Sequence, residues 1–311
     1  MRRQRVMGLL GGLLVLGLWV AAGHSQGPGR WITAAPMPNE RTEVAVGEVA
    51  GKVYVVGGMG GDALLAYDPG ADRWQARASL PRPLHHATAS AVGGLLYVVG
   101  GYTEAWNPVD TVFEYNPATD RWHERARMPT ARGALAAGVI DGRIHAVGGV
   151  GRDRRNTDAH EVYDPLRDRW ARGAPLPTPR DHLALGVVAG RLYAIGGRVD
   201  GSFGRNLQAN EEYDGRTDRW RGRAPLPTAR SGIAAAALDG KIFVFGGEAP
   251  AGTFNQTEAY DPVADRWSTW APMPTARHGL GAAAVGGRIF VISGGPRPGG
   301  SYSVLNEVFT P

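Results

Sequence analysis

The sequence predicts an all-β protein, a ring of six four-stranded units that closes as a six-bladed β-propeller. Three observations carry this. Of 311 residues, 46 are glycine and 22 proline, too turn-rich for a helical bundle, while 43 % hydrophobic residues exclude a disordered chain. Gly-Gly pairs end short apolar runs at Gly57-Gly58, Gly100-Gly101, Gly148-Gly149, Gly196-Gly197, Gly246-Gly247 and Gly294-Gly295, spaced 43, 48, 48, 50 and 48 residues apart. Each interval reads as short strands punctuated by turn residues, the mark of a propeller blade.

The N-terminus is different material. Arg2, Arg3 and Arg5 precede an apolar stretch from Gly8 to Ala22, with small residues at Ala21-Ala22-Gly23. A basic start, roughly 15 apolar residues and a small-residue site describe a secretory signal peptide. An uncleaved membrane anchor is the alternative, although the run is shorter than the about 20 residues a spanning helix needs. The chain therefore divides into residues 1–26, signal peptide or N-terminal membrane anchor, and 27–311, the propeller. Export to the periplasm or outside the cell is expected. Without the three early arginines, 31 basic side chains face 29 acidic ones, and the net charge falls from +5 to +2. That interspersed balance leaves no electrostatic footprint for nucleic acid.

Within each unit, strand a is small and apolar, as in Ile233 to Leu238 and Leu280 to Val285. Small residues suit the crowded propeller axis. A two-residue turn follows, Asp141-Gly142 or Asp239-Gly240 for example, where Asp-Gly supplies the positive φ angles of a type I′ hairpin. Strand b is Lys241-Ile242-Phe243-Val244-Phe245 in the fifth unit, and ends at the Gly-Gly pair. Strand c closes on a turn such as Tyr67-Asp68-Pro69, where proline presets φ and the acid caps the turn. Strand d begins at the tryptophan of a recurring Asp-Arg-Trp triplet: Trp74, Trp122, Trp170, Trp220 and Trp267. These aromatic residues are expected to fill the space between blades. A Met-Pro or Leu-Pro follows, then an arginine at Arg41, Arg132, Arg180, Arg230 and Arg277; Leu84 breaks the rule in the second unit.

The sixth unit stops after strand c, at Glu307-Val308-Phe309-Thr310-Pro311. Gly29-Arg30-Trp31-Ile32 aligns with the start of strand d. The sixth blade is thus expected to take strands a to c from the C-terminal end and strand d from the N-terminal one, which leaves no open edge.

Gly-Gly, Tyr and Trp at these offsets, six times over residues 31–311, resemble the kelch repeat family. The resemblance implies recognition of a protein, peptide or other ligand as the commonest role. Its peptide-binding members line their pockets with residues just after the arginine and just after Gly-Gly. By position, that marks His85, Asp181, Ser231, His278, Arg198 and Glu248.

Antiparallel alternation puts the b–c and d–a loops on one face. The b–c loops vary from 9 to 16 residues between the last Gly and the strand-c aromatic, and variable loops on a rigid scaffold are where binding usually lives. The candidate binding residues on this face are Glu43, His85, His86, Tyr102, Trp106, Asp181, His182, Arg198, Ser231, Glu248 and His278. Three readings compete. The first is recognition, aromatic rings stacking and arginines pairing carboxylates. The second is a metal held by His85 or His86, His182 and His278, with Asp181. The third is acid–base work on a sugar hydroxyl. A plainer role stands beside each: channel-wall histidines, and repeat arginines that only bond loop carbonyls.

An exported binding module recognising a protein, peptide or carbohydrate is the reading adopted, with no catalytic residue, metal or cofactor assigned and no nucleic acid partner. The enzymatic alternative is a sugar mutarotase similar to N-acetylneuraminate epimerase, on fold analogy alone. The copper oxidases built on kelch propellers need a cysteine cross-linked to tyrosine, and this chain has no cysteine.

Overall fold

The computed structural model describes Met1 and residues 28–311; the expected signal or anchor, apart from Met1, lies outside the described residues. Six four-stranded antiparallel sheets, each in the order a-b-c-d, make six blades. Strands a run Ala45–Val49, Thr88–Val92, Ala136–Ile140, Ala184–Val188, Ala234–Leu238 and Gly281–Val285, and neighbours pack side by side in a closed circle around the axis. Small side chains are required there. A Cβ added at Gly281 would sit 2.0 Å from Val46 Cγ2 of the first blade.

Strand a starts one residue later than expected in blades 5 and 6, because Ile233 and Leu280 turn into the inter-blade core. Strand d starts one residue earlier than the tryptophan, since the arginine pairs with the last residue of strand c, as in Asp68↔Arg73. The Asp-Gly turns take the expected geometry: φ is +48° at Asp141 and +71° at Gly142. At the c–d turn, Asp68 Oδ1 accepts from the N–H groups of Gly70 and Ala71.

The aromatic repeat is an inter-blade clamp. The Tyr115 hydroxyl donates to Asp120 Oδ1 at 2.6 Å, and that oxygen also accepts the Ala78 N–H of the preceding blade. Trp122 Nε1 donates back to the Ala78 carbonyl at 2.7 Å. The same set recurs around Trp74, Trp170, Trp220 and Trp267.

The sixth blade closes as expected. Arg30–Thr33 pairs with Asn306–Thr310, with Trp31 opposite Phe309. Trp31 Nε1 bonds the Ala271 carbonyl at 2.8 Å as the other tryptophans do, while Phe309 has no hydroxyl and the Ala271 N–H goes to the Pro28 carbonyl instead.

The repeat arginines are structural. Arg41, Arg132, Arg180, Arg230 and Arg277 are all fully buried. Arg180 binds Glu211 at 2.6 Å and the carbonyls of Thr178, Ala194 and Gly196. Arg132, Arg230 and Arg277 pair likewise with Glu161, Glu258 and Glu307. Blade 2 replaces both partners together: Leu84 and Phe113 stand where blades 3 to 6 have arginine and glutamate, and share one apolar cluster, while in blade 1 Arg41 bonds Asn39 and the Gly57 and Ala63 carbonyls instead.

Candidate functional site at the mouth of the central channel

The residue two before each strand a is held in the left-handed region: Glu43, His86, Ala134, His182, Gly232 and Gly279, with φ between +51° and +65°. That turn lets each N–H reach the carbonyl of its counterpart in the preceding blade. Glu43 donates to Gly279, His86 to Glu43, Ala134 to His86, His182 to Ala134, Gly232 to His182 and Gly279 to Gly232, all at 2.7–3.0 Å. Six inter-blade hydrogen bonds thus close a backbone ring around the axis. The side chains of Glu43, His86 and His182 project from this ring around a cavity of about 90 Å³.

One position further out, Thr42, His85, Gly133, Asp181 and Ser231 pair with the residues that follow Gly-Gly, among them His85↔Tyr102, Asp181↔Arg198 and Ser231↔Glu248, and His278 pairs with Gly295, because Ser293-Gly294 take the left-handed Gly-Gly places in blade 6. The sequence-expected site residues are therefore on one face, in two concentric rings. Three groups form among them.

The first is polar. Arg198, 8 % exposed, donates to Glu248 at 2.6 Å, to Asp181 at 3.2 Å and approaches His182 Nε2 at 2.9 Å. His182 Nδ1 makes a short hydrogen bond to Asp181 Oδ1. Asn156 donates to the other Asp181 oxygen at 2.5 Å. Burial opposes the Asp181 charge, but the His182 bond and Arg198 outweigh it and hold the carboxyl below its ordinary range.

The second centres on Glu43, whose two oxygens lie 3.3 Å from His278 Nδ1 and 3.4 Å from His86 Nε2. Burial opposes ionisation of Glu43, yet the surrounding imidazoles and His278 keep its pKa well below normal. Burial likewise pulls His278 down, and Glu43 and Glu248 more than reverse it, so His278 titrates above an ordinary histidine. Burial pushes His86 down to about 3.

The third is aromatic. Trp106 packs on His85, His86 and Tyr102 with ring centroids 4.6–5.5 Å away. Tyr102 lies across Gly133, where a Cβ would sit 2.4 Å from the ring. Trp106 itself has φ of +58° and is 51 % exposed. Ser231 is fully buried and contributes through its backbone pairing with Glu248.

Sequence reasoning missed the hydrogen-bonded ring. Gly232 and Gly279 were its only visible signal, because in the other blades larger residues occupy the same left-handed position. It also missed a second histidine pair, His145–His160, buried inside blade 3 at 2.9 Å and away from the mouth.

The Kelch motif matches residues 83–129, 131–177, 179–227 and 229–274. A comparison with curated protein sequences finds no match. Among solved structures, "Structure of YjhT" is similar with a TM-score of 0.80 and 18 % identity, covering 89 % of this chain and 97 % of that one. At that identity the likeness carries the fold.

Proposed function

The chain belongs to the kelch motif family, and on that footing we propose that it is an exported recognition propeller. Its ligand, a protein, peptide or carbohydrate, sits over the axial mouth of the b–c/d–a face. The observation that carries this reading is Trp106, a half-exposed indole held on a left-handed loop residue and backed by three rings. Bulky residues rarely adopt that conformation, and strain of this kind gathers at ligand sites. An aromatic face beside buried Arg198 and Glu248 suits a ligand with both an apolar face and polar edges.

The test is a binding titration followed by tryptophan fluorescence, with monosaccharides, N-acetylneuraminic acid and acidic peptides as probes. Trp106→Ala is expected to weaken whichever probe binds by about tenfold, roughly 1.4 kcal/mol. Equal affinity in the variant for every bound probe overturns the reading. Export rests on the basic-apolar-small order of residues 1–26 and is tested by N-terminal sequencing of the protein recovered outside the cytoplasm.

A mutarotase is the second reading, favoured by the convergence of Glu43 with His86 and His278, and of Asp181 with His182, around one axis. Mutarotation needs a base at the anomeric hydroxyl and an acid at the ring oxygen. Proton NMR of freshly dissolved N-acetylneuraminic acid measures anomer exchange directly. A rate no faster than buffer rules the activity out for that sugar.

A further inference from the structure

We propose that Glu43, His86 and His182 form a binding site for a divalent transition metal of the zinc type at the axial mouth. Their donor atoms lie within 4.8 Å of one another. Two imidazoles and one carboxylate are a donor set that zinc takes while keeping a fourth position for water or a ligand.

The tautomers follow from the hydrogen bonds. His85 Nε2 faces the Thr103 carbonyl at 3.0 Å, so it carries the proton and, in the neutral ring, His85 Nδ1 accepts. His86 Nδ1, 2.6 Å from His85 Nδ1, must then be the donor. The neutral His86 ring is left with a bare Nε2 lone pair 3.4 Å from a Glu43 oxygen. Two electron-rich atoms face each other with no proton between them, and a cation resolves that conflict. On His182, Nδ1 donates to Asp181, which leaves Nε2 as the lone pair, and Arg198 donates to it at 2.9 Å.

Each ligand also has an outer partner of the kind metal sites use to fix ring orientation. Asp181 serves His182, His85 serves His86, and His278 touches the second Glu43 oxygen. The hydroxyls of Thr42 and Ser231 in the same outer ring are buried without a hydrogen-bond partner. The neighbouring charges are Arg198, His278, Asp181 and Glu248. Arg198 holds Asp181, Glu248 and His182 Nε2 through one rigid guanidinium, so His182 must leave Arg198 to reach a metal while Arg198 keeps its bonds to Asp181 and Glu248. A tetrahedral zinc site has donor atoms roughly 3.3 Å apart. The His86–Glu43 edge already has that length, and His182 closes the rest by side-chain motion.

The fold supplies its own control variants. Ala134 and Gly232 occupy the ring positions equivalent to His86 and His182 with the same left-handed backbone. His86→Ala and His182→Gly therefore remove ligands while keeping a residue that this ring tolerates.

The experiment uses the untagged full chain, stripped with chelator, dialysed against zinc chloride and counted by elemental analysis. One zinc per chain is expected, with a rise in melting temperature. His86→Ala and His182→Gly should bind on the order of a hundredfold more weakly or worse, and lose the zinc-dependent rise in melting temperature. Asp181→Asn, which keeps all three ligands, should weaken zinc roughly tenfold and serves if either ligand variant does not fold. No stoichiometric zinc on the wild type overturns the proposal, as does wild-type affinity in the ligand variants. Zinc is counted without any sugar or peptide, so failure here leaves the recognition reading standing.

Discussion

Arg132, Arg180, Arg230 and Arg277 are cations with no access to water, so the value of each depends on its glutamate. Removing one member of such a buried pair leaves an uncompensated charge, which costs about 3–5 kcal/mol. Arg180→Leu is therefore expected to lower stability by that amount in urea denaturation. Arg180→Leu with Glu211→Phe copies the Leu84 and Phe113 arrangement of blade 2 and should recover most of the loss. The regular arginines were legible in the sequence, and so was the exception at Leu84. What was not legible was the partner, because Glu161, Glu211, Glu258 and Glu307 lie about 30 residues downstream and look like ordinary strand charges. The His145–His160 pair makes a second residue-scale prediction. Burial pushes His145 down to about 3. The unfolded chain takes up a proton near pH 6.5 and the folded one does not, so stability present above that pH is lost as pH falls. By about pH 4 the loss from His145 is roughly 3 kcal/mol. His145→Phe with His160→Thr, the pair blade 5 carries as Phe243 and Thr257, should flatten the acid side of the melting-temperature profile. An unchanged acid slope in that variant contradicts the assignment.

At the scale of elements, blade 6 depends on a strand from the other end of the chain. Trp31 packs on Phe245 and Phe309 and bonds Ala271. Deleting residues 31–38 exposes the edge of Asn306–Thr310 and the aromatic faces beneath it. A marked fall in melting temperature is expected, and an unchanged value refutes the closure. This element was readable because Arg30-Trp31 copies the start of strand d. The mouth was only partly readable. Sequence order placed Glu43, His86 and His182 on one face, but not on one ring. Their convergence depends on left-handed residues at six equivalent positions, and Glu43, His86, Ala134 and His182 carry no local sign of that conformation.

Across the whole molecule, the inter-blade clamps hold the outer edge of the ring and the six axial hydrogen bonds hold its centre. The mouth is thus framed by backbone rather than by loops, while Trp106 and the b–c loops lie outside that frame. Sequence periodicity sees only what repeats, so it found the scaffold and left the ligand open. The shared blade has a consequence for how the chain becomes a ring. Arg30–Thr33 is made long before its partner Asn306–Thr310, and the bond from Asn306 to the Ala35 carbonyl spans 271 residues. Contacts so distant in sequence form late, because loop-closure entropy must be met first. Five blades can assemble in order of synthesis while the N-terminal strand waits unpaired. In refolding followed by pulsed hydrogen exchange, protection of the Trp31–Phe309 ladder should be the slowest to appear.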